Sequence, residues 1–337
     1  RLIQISLYSP PMVRMKDIAQ KLKLSQTTVS HVLTGKHEHY RISAATVARV
    51  KKMAEDLGYR SSALARAFRD RRSYSVALAV EDLNNPFWTG VASGAEQEAE
   101  REGYILVVSN TNGDSARERR AVQMLQERRV DGMIVSPVTV TDAVLAELHR
   151  EGLPFVQIDR SIKGEDVPCV RTDHGAGSGL AVDHLVRRGH RDIAYVGGPL
   201  EIQTFDLRLE GFKKALGRHD LKPAAVKLVS PDEEAGAFAV RDLLLSSPRP
   251  TAIFTANIKL TVGALRALRA AQVRVPADVE IVGFDDIAMA DLFAMPVTTV
   301  CQDVAAIGRE AFRALLRVMS GQKSPRELLI PPRLQVR

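Results

Sequence analysis

Two sets of polar residues in this 337-residue chain could do chemistry. The first is compact. Ser25, Gln26, Thr27, Thr28, Ser30 and His31 lie within the stretch Met15 to Thr34, with Arg14 and Lys16 at its head. Small hydroxyl, amide and imidazole groups, with no carboxylate among them, suit hydrogen bonding to base edges in a DNA major groove, and the two cations suit phosphates. The structural counterpart is a helical hairpin with a solvated polar face. The second set is dispersed along the chain. Asn85 follows the apolar run VALAV, Ser136 follows GMIV, Asp159 ends PFVQI, and Arg208, Asn257 and Asp285 come later, with Phe87 and Trp88 beside Asn85. Planar amides, carboxylates and one guanidinium fork suit bidentate hydrogen bonds to ligand hydroxyls or ring nitrogens. An aromatic ring can cover a ligand's apolar face. Here too each residue has a structural counterpart. Asn and Asp at strand ends cap the next helix, Asp159–Arg160 can be an ion pair, and Phe87 and Trp88 can be packing.

The elements that must position these groups follow from periodicity. The first set sits on two short helices. Ile18, Ala19 and Leu22 mark one face of the first, about Lys16 to Lys23. After the break at Leu24-Ser25, Val29, Val32 and Leu33 form the apolar stripe of the second at i, i+3, i+4. Ser25 is its expected N-cap and Gly35 its C′ residue. A third helix, Ala44 to Leu57, is capped by Ser43 and closed by Gly58, and its Val47, Val50, Ala54 and Leu57 complete a three-helix core. The second set sits in a region where apolar runs (VALAV, ILVV, GMIV, PFVQI, IAYV, VKLV, AIFT, VEIVGF) alternate with helical stretches up to Val304–Ser320. That pattern predicts two parallel sheets covered on both faces, with ligands held at the carboxyl ends of the strands.

Charge is unevenly placed. The whole chain carries +7, yet residues 12–72 hold 14 Lys+Arg against 5 Asp+Glu, so the remainder is slightly acidic. A basic head on such a body is the footprint of a nucleic-acid-binding domain joined to another function. Cys169 and Cys301 stand far apart, in no ligand motif, and are expected to be reduced. No run of about 18 apolar residues exists, so no membrane span is expected. His174, His184 and His190 form no nucleophile–base–orienter set, and neither a P-loop nor HExxH is present. Asp285-Asp286 point apart on a strand end. No catalytic residue, metal or cofactor is therefore expected.

Taken in order, several words of the sequence resemble the lactose-repressor/galactose-repressor family of bacterial transcription regulators. They are KDIAQKLKLSQTTVSHVL, ATVARV…LGY, ALARAF and VEDLNNPFW, then IDR at Ile158–Arg160, RRGHRDIAYVGG at Arg187–Gly198, RLEGF at Arg208–Phe212, FTAN at Phe254–Asn257, VGFDD at Val282–Asp286 and TTVCQD at Thr298–Asp303. The resemblance implies an α + α/β architecture: a helix-turn-helix three-helix head and hinge helix, then a two-lobed doubly wound core resembling a periplasmic-binding-protein fold. Residues 1–11 read as a poorly ordered extension, 12–59 as the DNA-binding domain, 60–73 as the hinge and 74–337 as the core. Lobe 1 is expected over about 74–160 and 299–326, lobe 2 over about 161–298 and 327–337.

In such a family the hinge, Ala63 to Asp70, orders on DNA and inserts an apolar wedge into the minor groove. The wedge position, usually leucine, falls on Phe68, with Ser62, Ala63, Arg66 and Arg69 as further contacts. A flexible basic linker is the other reading of this segment. The resemblance places Arg208 and Asp285 on the effector. One departure stands out, because the family's Asn-Asp is Asn257-Ile258 here. The expected function is a cytoplasmic, nucleoid-associated regulator and repressor that binds double-stranded palindromic operator DNA as a homodimer, since one recognition helix reads only a half-site. A sugar, sugar derivative, nucleoside or purine in the inter-lobe cleft is the expected effector. The rivals are a regulator answering to a protein partner or to none, and a solute-binding receptor.

Overall fold

The computed structural model describes residues 13–59, 72–139, 141, 143–292 and 295–337. They divide into two compact units, with the border between Ser73 and Tyr74. In the first unit, α1 (Met15–Leu22), α2 (Gln26–Leu33) and α3 (Ala44–Asp56) enclose a small core around Ile18, Val29, Val32 and Val50. The local signals place the helix ends. Lys23 turns the chain with φ 53°, the Ser25 hydroxyl accepts from the Thr28 N–H at 3.0 Å, and Ser43 accepts from Thr46 at 3.4 Å. Gly35 (φ +75°) and Gly58 (φ +61°) follow α2 and α3. α1 begins at Arg14, where no side-chain oxygen is available. Instead the Asp17 carboxylate accepts from the Arg14 N–H at 2.7 Å and places its charge in the first turn, where the helix dipole favours it.

The second unit holds two six-stranded sheets. The first runs, edge to edge, β11 (Glu327–Ile330), β5 (Cys169–Thr172), β4 (Phe155–Ile158), β3 (Gly132–Val135), β1 (Ser75–Val80) and β2 (Ile105–Asn110), all parallel. The second runs β12 (Arg333–Gln335), β10 (Thr298–Cys301), β9 (Glu280–Phe284), β8 (Ala252–Thr255), β6 (Ile193–Gly197) and β7 (Ala225–Leu228), with β12 alone antiparallel. Val76 to Val80 are all buried, which fits a strand covered on both faces. Strand membership corrects the expected lobe limits. Cys169–Thr172 and Glu327–Ile330 belong to the first sheet and Thr299–Cys301 to the second. The short runs CVRT, ELLI and RLQ carry no periodicity of their own. They are strands because a distant partner pairs with them, as Glu327 pairs with Cys169.

Helices cover both sheets: α4 (Pro86–Arg101), α5 (Ser115–Glu127), α6 (Ala143–Arg150) and α11 (Val304–Met319) on the first, and α7 (His174–Arg187), α8 (Gln203–Gly217), α9 (Glu233–Leu245) and α10 (Ile258–Ala270) on the second. α4 and α11 pack through small residues. A Cβ added at Gly308 would lie 2.1 Å from the Val91 carbonyl oxygen. Gly308→Ala is therefore expected to force these helices apart and cost roughly 1–3 kcal/mol by overpacking. Gly217→Ala, with open space around it, should be neutral or stabilising by up to about 1 kcal/mol. Calorimetric melting of the two variants checks this, and equal melting temperatures would refute it.

Candidate functional sites: the helical head and the inter-lobe cleft

On the head, the polar side of α2 divides into two parts. Ser25 and Thr28 are occupied locally, since the Ser25 hydroxyl accepts the cap bond and lies 2.8 Å from that of Thr28. Gln26 and Thr27 are exposed, and Ser30 and His31 are half-buried. The His31 ring stacks on Tyr40 with centroids 3.6 Å apart. Arg14 and Lys16 are exposed at the start of α1. Ser62, Ala63, Arg66, Phe68 and Arg69 lie outside the described residues.

In the second unit, a cavity of about 130 Å³ opens where strand ends of the two sheets meet. Of the residues expected there, Asn85, Phe87, Trp88, Asp159, Arg208, Asn257 and Asp285 all line it. Ser136 is the exception and corrects the sequence reading. It follows β3, is 1% exposed, does not line the cavity, and its hydroxyl has no partner among the described residues. Two amides also cap helices: Asn85 accepts from the Phe87 N–H at 3.1 Å and Asn257 from Leu260 at 2.7 Å. Capping a helix and lining the cavity are compatible for these two residues. Trp88 is 3% exposed and packs in the lobe 1 core edge-on to Phe87, with centroids 4.7 Å apart.

Arg208 is the centre of the site. It comes from α8 and its side chain is 6% exposed. Its Nε donates to His174 Nδ1 at 3.2 Å and its Nη1 to the Ala256 carbonyl at 2.5 Å. The guanidinium carbon lies 3.8 Å from the Phe284 ring centroid, a cation–π contact, and Nη1 lies 3.9 Å from Asp285 Oδ2. Burial, reinforced by the Arg208 and Arg171 charges, holds the His174 imidazole well below its usual range, so it is neutral. Since Nδ1 accepts from Arg208, Nε2 carries the proton. That nitrogen is buried without a hydrogen-bond partner among the described residues and stands 3.8 Å from Asp159 Oδ1. Asp159 (φ 64°) has its carboxyl pushed up by burial, against the pull of Arg160 and Arg208. Asp285 (φ 76°) accepts from the Gln302 amide, which in turn accepts from Thr172 at the crossing between lobes.

The strand-end residues Asp82 and Arg160 also line the cavity, together with Glu81, Lys259 and Gln302, which sequence reasoning did not assign to it. Glu81 and Asp82 follow β1, Arg160 pairs with Glu81 and stands 3.7 Å from Asp159, and Lys259 reaches Asp82 at 3.5 Å from the opposite lobe. Position after a strand end was a signal for Glu81. Nothing local marks Lys259 or Gln302. Four carboxylates (Glu81, Asp82, Asp159, Asp285) face three cations (Arg160, Arg208, Lys259), and each cation lies within 4.0 Å of a carboxylate. Ile258, where the family motif has Asp, puts an apolar side chain on the cavity wall. Cys169 and Cys301 are free and buried, and burial pushes the Cys169 thiol up to about 12. No helix among the described residues is long and apolar enough to cross a membrane.

A capped helix-turn-helix unit and a two-lobed core with a polar cleft at its strand ends define a class, the DNA-binding regulators with a ligand-binding-type core. Residues 14–62 match the model of bacterial regulatory proteins of the lacI family, and residues 182–337 match that of the periplasmic binding protein-like domain. The ribose operon repressor of Escherichia coli (strain K12) is 32% identical over 331 residues, 97% of this chain and 99% of that protein. The HTH-type transcriptional repressor PurR of Vibrio atlanticus (strain LGP32) is 30% identical, covering 90% of this chain and 91% of its own. The crystal structure of the Lac repressor dimer bound to operator and the anti-inducer ONPF superposes with a TM-score of 0.85 at 28% identity, over 97% of this chain and 98% of that one. The chain belongs to the lacI family of bacterial regulatory proteins. It is a DNA-binding regulator and not an enzyme.

Proposed function

We propose that this protein is a transcriptional repressor that binds a palindromic operator as a homodimer and is controlled by one neutral, monosaccharide-sized effector in the cleft. The carrying observation is the polar cluster around Arg208, in which four carboxylates face three cations. With every cation of the cavity already beside a carboxylate, a phosphate would find no spare positive charge. Hydroxyls, which donate and accept, suit Asp159, Arg208, Asn257 and Asp285. A cavity of about 130 Å³ matches one small ring, since a void of roughly 150 Å³ takes up benzene. The similarity to a ribose operon repressor supports the same reading.

On the DNA side, Gln26, Thr27 and His31 are assigned to base edges, and Arg14 and Lys16 to phosphates, with Ser62, Ala63, Arg66, Phe68 and Arg69 at the minor groove. A function in operator binding implies a cytoplasmic protein associated with the nucleoid. Dimerisation is supported by the outer strands β2 and β7. Ile105 is 70% exposed and Val107 and Val108 are also exposed on β2. Leu228 on β7 and the neighbouring Phe238 and Leu245 of α9 are likewise exposed. Apolar edge strands left open invite pairing.

A second reading is ligand-independent control. It is favoured by Ile258 and by the Lys259–Asp82 ion pair, which joins the lobes directly. The test is melting of the full protein against neutral pentoses and hexoses, sugar phosphates, nucleosides and purines, because a ligand bound to the native state alone raises the melting temperature. A neutral sugar is expected to stabilise and its phosphate ester is not. Stabilisation by the ester alone would overturn the charge argument, and no stabilisation by any of them would favour the second reading.

A further inference from the structure

The segment that follows α2, Lys36 to Arg41, reads KHEHYR and is rich in aromatic and ionisable side chains. It is tied down by backbone bonds. Lys36 N–H donates to the His31 carbonyl at 2.9 Å, Tyr40 N–H to Lys36 at 3.3 Å and Ile42 N–H to His37 at 2.9 Å. Ile42 packs on the head core, and Arg41 takes φ 51° so that the chain can turn back toward α3. This anchoring presents Tyr40 to the last turn of α2. The Tyr40 and His31 rings are nearly parallel, with centroids 3.6 Å apart and planes 17° apart. His39 meets Tyr40 edge-on from the other side, at 4.9 Å and 90°. Tyr40 is 50% exposed and takes no part in the buried core.

We infer that Tyr40 is a positioning residue for sequence readout: it fixes the imidazole of His31 in the one orientation from which it can meet a base edge. The inference rests on the assignment of α2 to base reading. An imidazole on the polar face of a helix has several accessible rotamers, and a hydrogen bond to a base requires one of them. A stacked aromatic partner removes that freedom before DNA arrives, so less ordering is needed on binding. Stacking covers a face of the imidazole and leaves the ring edge, where both nitrogens sit, free to donate or accept. The restraint comes from outside α2, from a loop whose position is set by Ile42 in the core. Base preference at this pair therefore depends on a residue that need not touch the base itself.

The experiment uses the full chain, a palindromic duplex selected by the wild-type protein from a randomised pool, and every single-base-pair variant of that duplex. His31→Ala should erase preference at one symmetric base pair. Tyr40→Ala should reduce preference at that same pair by roughly three- to tenfold, the range a stacked aromatic pair supports. Other pairs and binding to random DNA should not change. Tyr40→Phe, which keeps the stack, should read like wild type, and the double variant should lose no more than His31→Ala alone. Three outcomes would overturn the positioning role while His31 remains a base reader: uniform loss across all sequences in Tyr40→Ala, failure of Tyr40→Phe to rescue, or additive losses in the double variant. If His31→Ala leaves every base preference intact, the assignment of His31 to the groove fails instead, and the positioning role with it.

Discussion

Replacing Arg208 with Ala is expected to abolish the response to effector while leaving effector-free operator binding nearly intact. The side chain is buried, and its bonds to His174 and the Ala256 carbonyl fix the direction of the fork. Hydrogen bonds from such a charged fork to ligand hydroxyls are worth about 1.5–3 kcal/mol each, so losing two should raise the effector concentration for half-response by roughly a hundredfold or more. The same change leaves Asp159 and Asp285 without their nearest lobe 2 cation. Removing one partner of a buried charge cluster costs about 3–5 kcal/mol of stability. Arg208→Lys is the companion variant, because it keeps a positive charge and loses the planar fork. It should fold better than Arg208→Ala and still respond poorly. Operator affinity without effector should stay within about twofold of wild type for both, as expected of independent sites. The measurement is effector titration of the operator complex. A response at wild-type effector concentration in either variant would remove Arg208 from the site.

Ile105→Lys should convert the protein to monomers at micromolar concentration and lower operator affinity by roughly a thousandfold. Ile105 begins β2, the outermost strand of its sheet, and is 70% exposed beside the exposed Val107 and Val108. A lysine on an edge strand opposes pairing with another copy. Two linked recognition helices bind a palindrome with an effective-concentration gain of about 10²–10⁴, and a monomer forfeits it. Met289→Lys is the control, since Met289 is 71% exposed in the loop between β9 and β10 and not on a strand. Light scattering and operator titration read both effects. A dimeric Ile105→Lys protein with wild-type affinity would place the interface elsewhere.

What the sequence determined by itself was local. The ends of α2 depend on Ser25 and Gly35, and its face on Val29 and Val32, all within one short stretch of chain. A hydroxyl meets its own helix's N–H without help from the rest of the molecule, so the cap was legible. Runs such as VALAV were legible because a strand buried on both faces must be apolar throughout. Arg208, Asn257 and Asp285 were legible because strand and helix ends in such folds converge on a cleft, and because the resemblance marks two of them. Pairing across long sequence separations decided the rest. Cys169–Thr172 is a strand because Glu327–Ile330 lies beside it, and the lobe limits moved with that contact. Ser136 follows a strand end like the others yet is buried outside the cavity lining, because the packing around β3 and not its place in the sequence decides what it meets. The ion pair of Lys259 with Asp82 and the stack of His31 on Tyr40 likewise belong to the tertiary structure. Neither follows from propensity or periodicity, because each needs a partner whose position is fixed by the packing of other elements.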